Sequence, residues 1–266
     1  MSSKEDPRSA YWNESYARYW KSRVAEAGAA GLSAVQQGDA RTEGDWVYER
    51  VLEAHPFTGN TVLDVGCAWG RLFPLYSAHG QRISGIDISS AMIDAAVEAY
   101  GEAENVDALE VAVAEKLPFA STSFDNVVCV AVFDATFQHQ ALSEFLRVLK
   151  SGGRLYLTGK SDAYPPDDQL ALDAERGARS KGHPNYFTDL PAMITQCERA
   201  GNKVLARYFF ERRGDFAELK YHQDHQRPFY EWLLVLEKGG DTPVLDEFSS
   251  AYSKTFTSIY PGERPE

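Results

Sequence analysis

No run of lysine and arginine occurs in this chain of 266 residues, and its acidic residues outnumber its basic ones to leave a net charge of −12. A polyanion would meet a repulsive field and no basic patch to overcome it, which argues against nucleic acid as a partner. Cysteine is scarce too. Cys67, Cys129 and Cys197 stand far apart, with no Cys-x-x-Cys spacing to suggest a metal or redox site. They read as small buried hydrophobes in a reducing compartment, and no metal is expected. An apolar span of the ~18 residues a membrane helix needs is also missing, as is an N-terminal apolar run of the signal-peptide kind. The expectation is a cytoplasmic protein without a membrane partner.

Two phosphate-binding patterns are missing as well. The glycines of the first glycine-rich turn are spaced Gly66-x-x-x-Gly70, not Gly-x-Gly-x-x-Gly, and no Lys-Ser/Thr follows them. A dinucleotide or triphosphate loop is therefore disfavoured. What is present is a strand-like run, Val62, Leu63 and Val65, leading into that turn, with a helix predicted over 71–79. Gly66 tolerates positive φ and lets a ligand approach the backbone. A second apolar strand, 82–86, puts Asp87 at its carboxyl end, about 20 residues past the first glycine, where a carboxylate meets the hydroxyls of a nucleoside ribose. Plain turn and capping roles for Gly66 and Asp87 are the alternatives.

With 44% hydrophobic and 12% aromatic residues the chain can build a sizeable core, and its length suits one α/β domain with additions. Strand and helix patterns alternate to about Thr158, which specifies a parallel, doubly wound sheet. Residues 1–45 read as a helical cap. In it Trp12, Tyr16, Tyr19, Trp20 and Arg23 share one face of a helix predicted over 11–26. Residues 46–240 form the main domain, with an insertion at 159–187 rich in charge and carrying Pro165-Pro166. Val204–Glu211 and Phe229–Glu237 read as a closing antiparallel pair. The tail, 241–266, reads as an amphipathic helix for the domain or a partner, and a homodimer is compatible with it.

Further signatures follow the first in order: Gly85-Ile-Asp-Ile-Ser89, then Ala112-Val-Ala-Glu-Lys-Leu-Pro-Phe119, Ser123-Phe-Asp125, and Gly152-Gly153 opening another strand. Together with Val62-Leu-Asp-Val-Gly-Cys-Ala-Trp-Gly70, they resemble the class I S-adenosylmethionine-dependent methyltransferases over roughly residues 45–237. The resemblance implies a Rossmann-like, seven-stranded, mostly parallel α/β sheet with its last strand antiparallel, helices on both faces and an N-terminal helical lid. It implies S-adenosyl-L-methionine as cofactor and S-adenosyl-L-homocysteine as product. The cofactor residues it suggests are Asp64, Gly66, Gly70, Asp87, Ile88, Ala114, Glu115 and Val130, with Tyr16 from the lid. Ala68 stands where glycine is frequent, and Val113 where an acidic residue often holds the adenine amine, so Glu115 becomes a substitute acceptor or a plain surface residue.

The acceptor is a small-molecule metabolite in this reading, methylated at N or O, because the Asn/Asp-Pro-Pro-Tyr/Phe type of signature is missing after the fourth strand. Methyl transfer from a sulfonium is an in-line displacement helped by positioning, and a hydroxyl acceptor also needs a base. Asp134 reads as that base, as an anchor for a substrate ammonium, or as a helix cap. His139 and His183 are further catalytic candidates with structural alternatives, and His222 and His225 can also face a substrate. A protein of the same fold that holds the cofactor structurally, or for another reaction, is the competing reading.

Overall fold

The computed structural model describes residues 7–16, 45–180, 185–240 and 244–251. The helix α1 (Pro7–Tyr11) runs into a π-helical turn, Trp12–Tyr16, and α2 (Asp45–Ala54) precedes the sheet. Then β1 (Thr61–Val65), α3 (Phe73–Ala78), β2 (Arg82–Asp87), α4 (Ser90–Tyr100), β3 (Val106–Val111) and β4 (Phe124–Cys129) alternate. They are followed by α5 (Gln138–Val148), β5 (Leu149–Lys160), α6 (Gln169–Ser180), β6 (Phe187–Thr188) and α7 (Leu190–Arg199). The antiparallel partners β7 (Lys203–Phe210) and β8 (Glu231–Glu237) and the short β9 (Ser249–Ser250) come last.

In β1 successive side chains enter opposite apolar clusters, Leu63 and Val65 one and Val62 the other, as the two-residue period of a strand requires. Val127 and Cys129 of β4 repeat the split against Val128. Strands buried on both faces need cover on both. Phe145 and Leu146 of α5 and Met193 of α7 close one face, while Val47 and Val51 of α2 and Phe73 and Tyr76 of α3 close the other. Local signals place these helices. Ser89 caps α4 by accepting from the Met92 amide, and Asp189 caps α7 by accepting from Ala192.

The parallel order is β3-β2-β1-β4-β5, and β8 lies antiparallel between β5 and β7. Those seven strands match the predicted sheet, and two-residue β6 and β9 extend it. Parallel strands bring the carboxyl ends of β1, β2, β4 and β5 to one edge, the usual ligand edge of such sheets. Because β8 runs the other way, its first residue, Glu231, arrives at that same edge opposite Lys160.

Two expectations change. The helix predicted over 11–26 is instead a helix that ends at Tyr11 and a π-helical turn; its remainder, with Tyr19, Trp20 and Arg23, lies outside the described residues. The tail is not helical over 244–251: β9 pairs with β6, and Leu245 and Phe248 are buried in the core beside α7. Sheet hydrogen bonds outweighed the helical spacing of its apolar residues.

Candidate active site

The turn after β1 builds the site's floor. Gly66 has φ 76°, and a Cβ there would drive into the Val132 side chain. The Gly66 and Cys67 amides donate to the Ile86 carbonyl at 2.8 and 2.9 Å, which ties the turn to β2. Ala68 also takes a left-handed φ, 49°, which points its amide at Asp87. The Asp87 carboxylate accepts from Ala68 at 3.0 Å through Oδ2 and from Ser89 at 2.8 Å through Oδ1. Burial pushes its pKa up to about 6, against the pull of those amides. A carboxylate has roughly four lone-pair directions, so these amides leave it able to accept from a further donor.

Above Asp87 lies a cleft lined by the turn after β1, the end of β2 and the segment after β4. Ile88, Ala112, Ala114 and Val132 make it apolar, and Arg8 and Trp12 wall it from the N-terminal side. Arg8 is latched to Glu115 by two bonds, Nη1 to Oε1 at 2.7 Å and Nη2 to Oε2 at 3.1 Å, with both side chains largely buried. Its guanidinium also lies 4.7 Å from the Phe137 ring centre. Ser89 donates through Oγ to Asn13 Oδ1 at 2.7 Å, a second tie between the N-terminal segment and the cleft. The Asp87 carboxylate, the apolar wall and the Gly66 cradle fit a nucleoside thioether or sulfonium such as S-adenosylmethionine.

A second cavity adjoins the first, and Ala131 lines both. Ala131 has φ 59°, a conformation that costs a residue with a side chain and gathers at functional sites. Its amide donates to Thr158 Oγ1 at 2.7 Å. Tyr48, Phe216 and Trp232 give this cavity aromatic walls, and Asp134, Lys160, Arg213 and Glu231 bring charge. Lys160 Nζ lies 2.7 Å from Asp134 Oδ2 and 3.6 Å from Glu175 Oε1. Burial alone would lower the Lys160 ammonium, but Asp134, Tyr230 and Glu175 outweigh it and hold it protonated. Glu175 in turn accepts from the Tyr230 hydroxyl and from Asn185.

The structure gathers Gly66, Asp87, Ile88, Ala114 and Glu115 around the cleft. Other predicted residues fall elsewhere. Val130 lines an apolar crevice with Tyr156 and Leu233, because side-chain alternation turns it to the opposite face. Gly70 stands behind the turn, where a Cβ would meet the Phe73 and Tyr100 rings at 2.8 Å. Asp64 is buried outside the cleft wall, its pKa pushed up to about 7 by burial against the opposing charge of Arg71. Asp134 reaches the second cavity already paired with Lys160. His139, in the first turn of α5, lines neither cavity, nor do His222 and His225, which pack against Phe209. The Tyr16 side chain and His183 lie outside the described residues; Trp12 reaches the cleft from the same turn. Sequence reading passed over Arg8, Ala131, Lys160, Arg213 and Glu231. Glu231 alone carried a signal, as an acidic residue opening the apolar run Trp232–Leu236.

The fold and the Asp87 turn make an α/β domain with a cleft at the carboxyl edge of its sheet. Residues 63–157 match the family described as methyltransferase domain. The chain is 33% identical over 116 residues to the O-methyltransferase resE of Aspergillus sclerotiorum, covering 42% of this chain and 44% of that protein. It is 36% identical over 107 residues to the ubiquinone/menaquinone biosynthesis C-methyltransferase UbiE of Syntrophotalea carbinolica, covering 40% and 41%. The chain thus spans under half the length of these curated relatives. Among solved structures, an S-adenosylmethionine-dependent methyltransferase from Mesorhizobium loti aligns with TM-score 0.57 at 18% identity, over 72% of this chain and 98% of that one. Magnesium protoporphyrin IX methyltransferase of Synechocystis, with bound S-adenosylmethionine, aligns at TM-score 0.55 and 17% identity over 90% and 99%. Residues 63–157 thus carry a methyltransferase domain, and the sheet around them has the fold of the solved methyltransferases.

Proposed function

We propose that this protein transfers a methyl group from S-adenosylmethionine to an oxygen or nitrogen of a small molecule. The observation that carries the reading is the pair of adjoining cavities with Ala131 in both walls, one floored by Asp87 and the other lined by aromatic and charged side chains. Asp87 would hold the ribose hydroxyls through charge-assisted hydrogen bonds. Ile88 and Ala114 would sandwich the adenine, with Val113 leaving its amine to backbone acceptors. Gly66 would let the methionine portion lie against the turn. The cofactor supplies an electrophilic methyl on a good leaving group. The chain's part is to orient the acceptor in line with that methyl and to keep water out, which the latched Arg8 and Trp12 serve.

The test is calorimetric titration with S-adenosylmethionine and S-adenosylhomocysteine, alongside thermal unfolding. Both ligands raise the melting temperature in this reading, since each binds only the folded chain. Absence of binding by both would sink it.

A further inference from the structure

The second cavity contains a charged group that its neighbours do not use. Glu231 lines it at the ligand edge of the sheet, and its carboxylate has neither hydrogen bond nor ion pair among the described residues. The nearest cation by register, Lys160, is committed to Asp134 and Glu175. Arg213, exposed at the cavity mouth, spends one N–H on the Tyr230 hydroxyl at 3.2 Å and pairs with no carboxylate among the described residues. A guanidinium has five N–H donors in a fork that suits a carboxylate, so most of this one's capacity stays unused. The Tyr48, Phe216 and Trp232 rings line the same cavity.

We infer that this cavity takes an aromatic hydroxy acid, with Glu231 receiving the proton of its hydroxyl and Arg213 holding its carboxylate. The inference deepens the methyltransferase reading and rests on it. Asp134 is poorly suited to the proton, because accepting it means giving up the Lys160 ion pair at 2.7 Å. Glu231 gives up nothing. Burial raises its pKa from the ordinary glutamate range, opposed by Lys160 and Arg213 and reinforced by Asp134 and Glu175, the charged groups that face it. A base whose pKa rises toward neutrality is the better general base at neutral pH. In the step, the hydroxyl O–H bond breaks and its proton goes to Glu231 as the oxygen–methyl bond forms. The methyl–sulfur bond breaks with its electrons left on sulfur, so a carboxylate and a sulfonium become a carboxylic acid and a neutral thioether.

The test is a calorimetric comparison of 4-hydroxybenzoate with benzoate as probes, on full-length protein saturated with S-adenosylhomocysteine. The wild type should prefer 4-hydroxybenzoate by about tenfold, the worth of a hydrogen bond to a charged partner. Glu231→Gln should erase that preference while benzoate affinity holds. Arg213→Gln should weaken both probes about equally. Unchanged S-adenosylhomocysteine affinity in each variant shows that it is folded. If the wild type binds both probes alike, binds neither, or keeps its preference in Glu231→Gln, the inference is overturned while the methyltransferase reading stands. If S-adenosylhomocysteine itself does not bind, both fall together.

Discussion

Lys160 and Glu231 face each other across the β5–β8 pair, yet the Lys160 ammonium lies 2.7 Å from Asp134 and leaves the Glu231 carboxylate to the cavity. That asymmetry separates the two acids at this edge. Asp134 is part of the framework, and Glu231 is available to a ligand. Removing one partner of a buried pair leaves an uncompensated charge, at a cost of about 3–5 kcal/mol. Asp134→Asn should therefore lower unfolding free energy by about 3 kcal/mol. Isosteric Glu231→Gln should change it by under ~1 kcal/mol. Urea unfolding of the two variants measures the contrast.

Asp87 should carry cofactor affinity. Each ribose hydroxyl bond to its carboxylate is charge-assisted and worth about 1.5–3 kcal/mol. Asp87→Ala is expected to weaken S-adenosylhomocysteine binding at least ~30-fold while the protein remains folded. In wild type, affinity should fall as pH drops through about 6, where the free carboxyl takes up a proton.

Stability should also depend on pH, with a definite sign. Asp64 is held at about 7 in the folded chain, above the ordinary carboxylate value, so the folded state binds its proton more tightly than the unfolded state does. Its contribution is most favourable at low pH and is lost as pH rises toward about 7. Asp64→Asn should accordingly gain stability over wild type as pH rises from about 4 to 7, by roughly 3 kcal/mol, and the gain should then level off. Thermal unfolding across that range, with a gain that fails to grow, would refute this.

The turn residues should respond in opposite directions. Ala68→Gly relieves a left-handed conformation and should stabilise the fold by about 0.5–1 kcal/mol, with the Asp87 bond kept. Gly66→Ala adds a methyl that collides with Val132 at φ 76°, and should abolish cofactor binding. Melting temperature and titration calorimetry read both.

The Arg8–Glu115 latch should govern exchange at the cleft. Arg8→Ala removes two bonds to Glu115 and one to the Ala135 carbonyl while leaving the sheet intact. Cofactor dissociation should quicken about tenfold with little change in melting temperature, measurable by stopped-flow displacement.

Much of the fold was legible because its signals are local. β1, the Gly66 turn, β2 and Asp87 lie within one continuous stretch, and apolar strands alternating with helices leave a parallel sheet as the arrangement that covers both faces. The cleft above Asp87 was legible for the same reason, since Gly66, Asp87, Ile88 and Ala114 all line it. Val130 was misplaced because a continuous apolar run does not say which residue faces which side. The tail misled because apolar spacing near 3.6 residues also suits an extended chain that buries Leu245 and Phe248.

The amino-acid sequence by itself determined the sheet, its carboxyl edge and the place of Asp87 on it, all products of short-range patterning. Tertiary structure alone decided which charges meet. Arg8 finds Glu115 across 107 residues, and Asp134 claims Lys160 before Glu231 can. Such pairings depend on the antiparallel entry of β8 and on burial of the groups between, and no local pattern of residues encodes either.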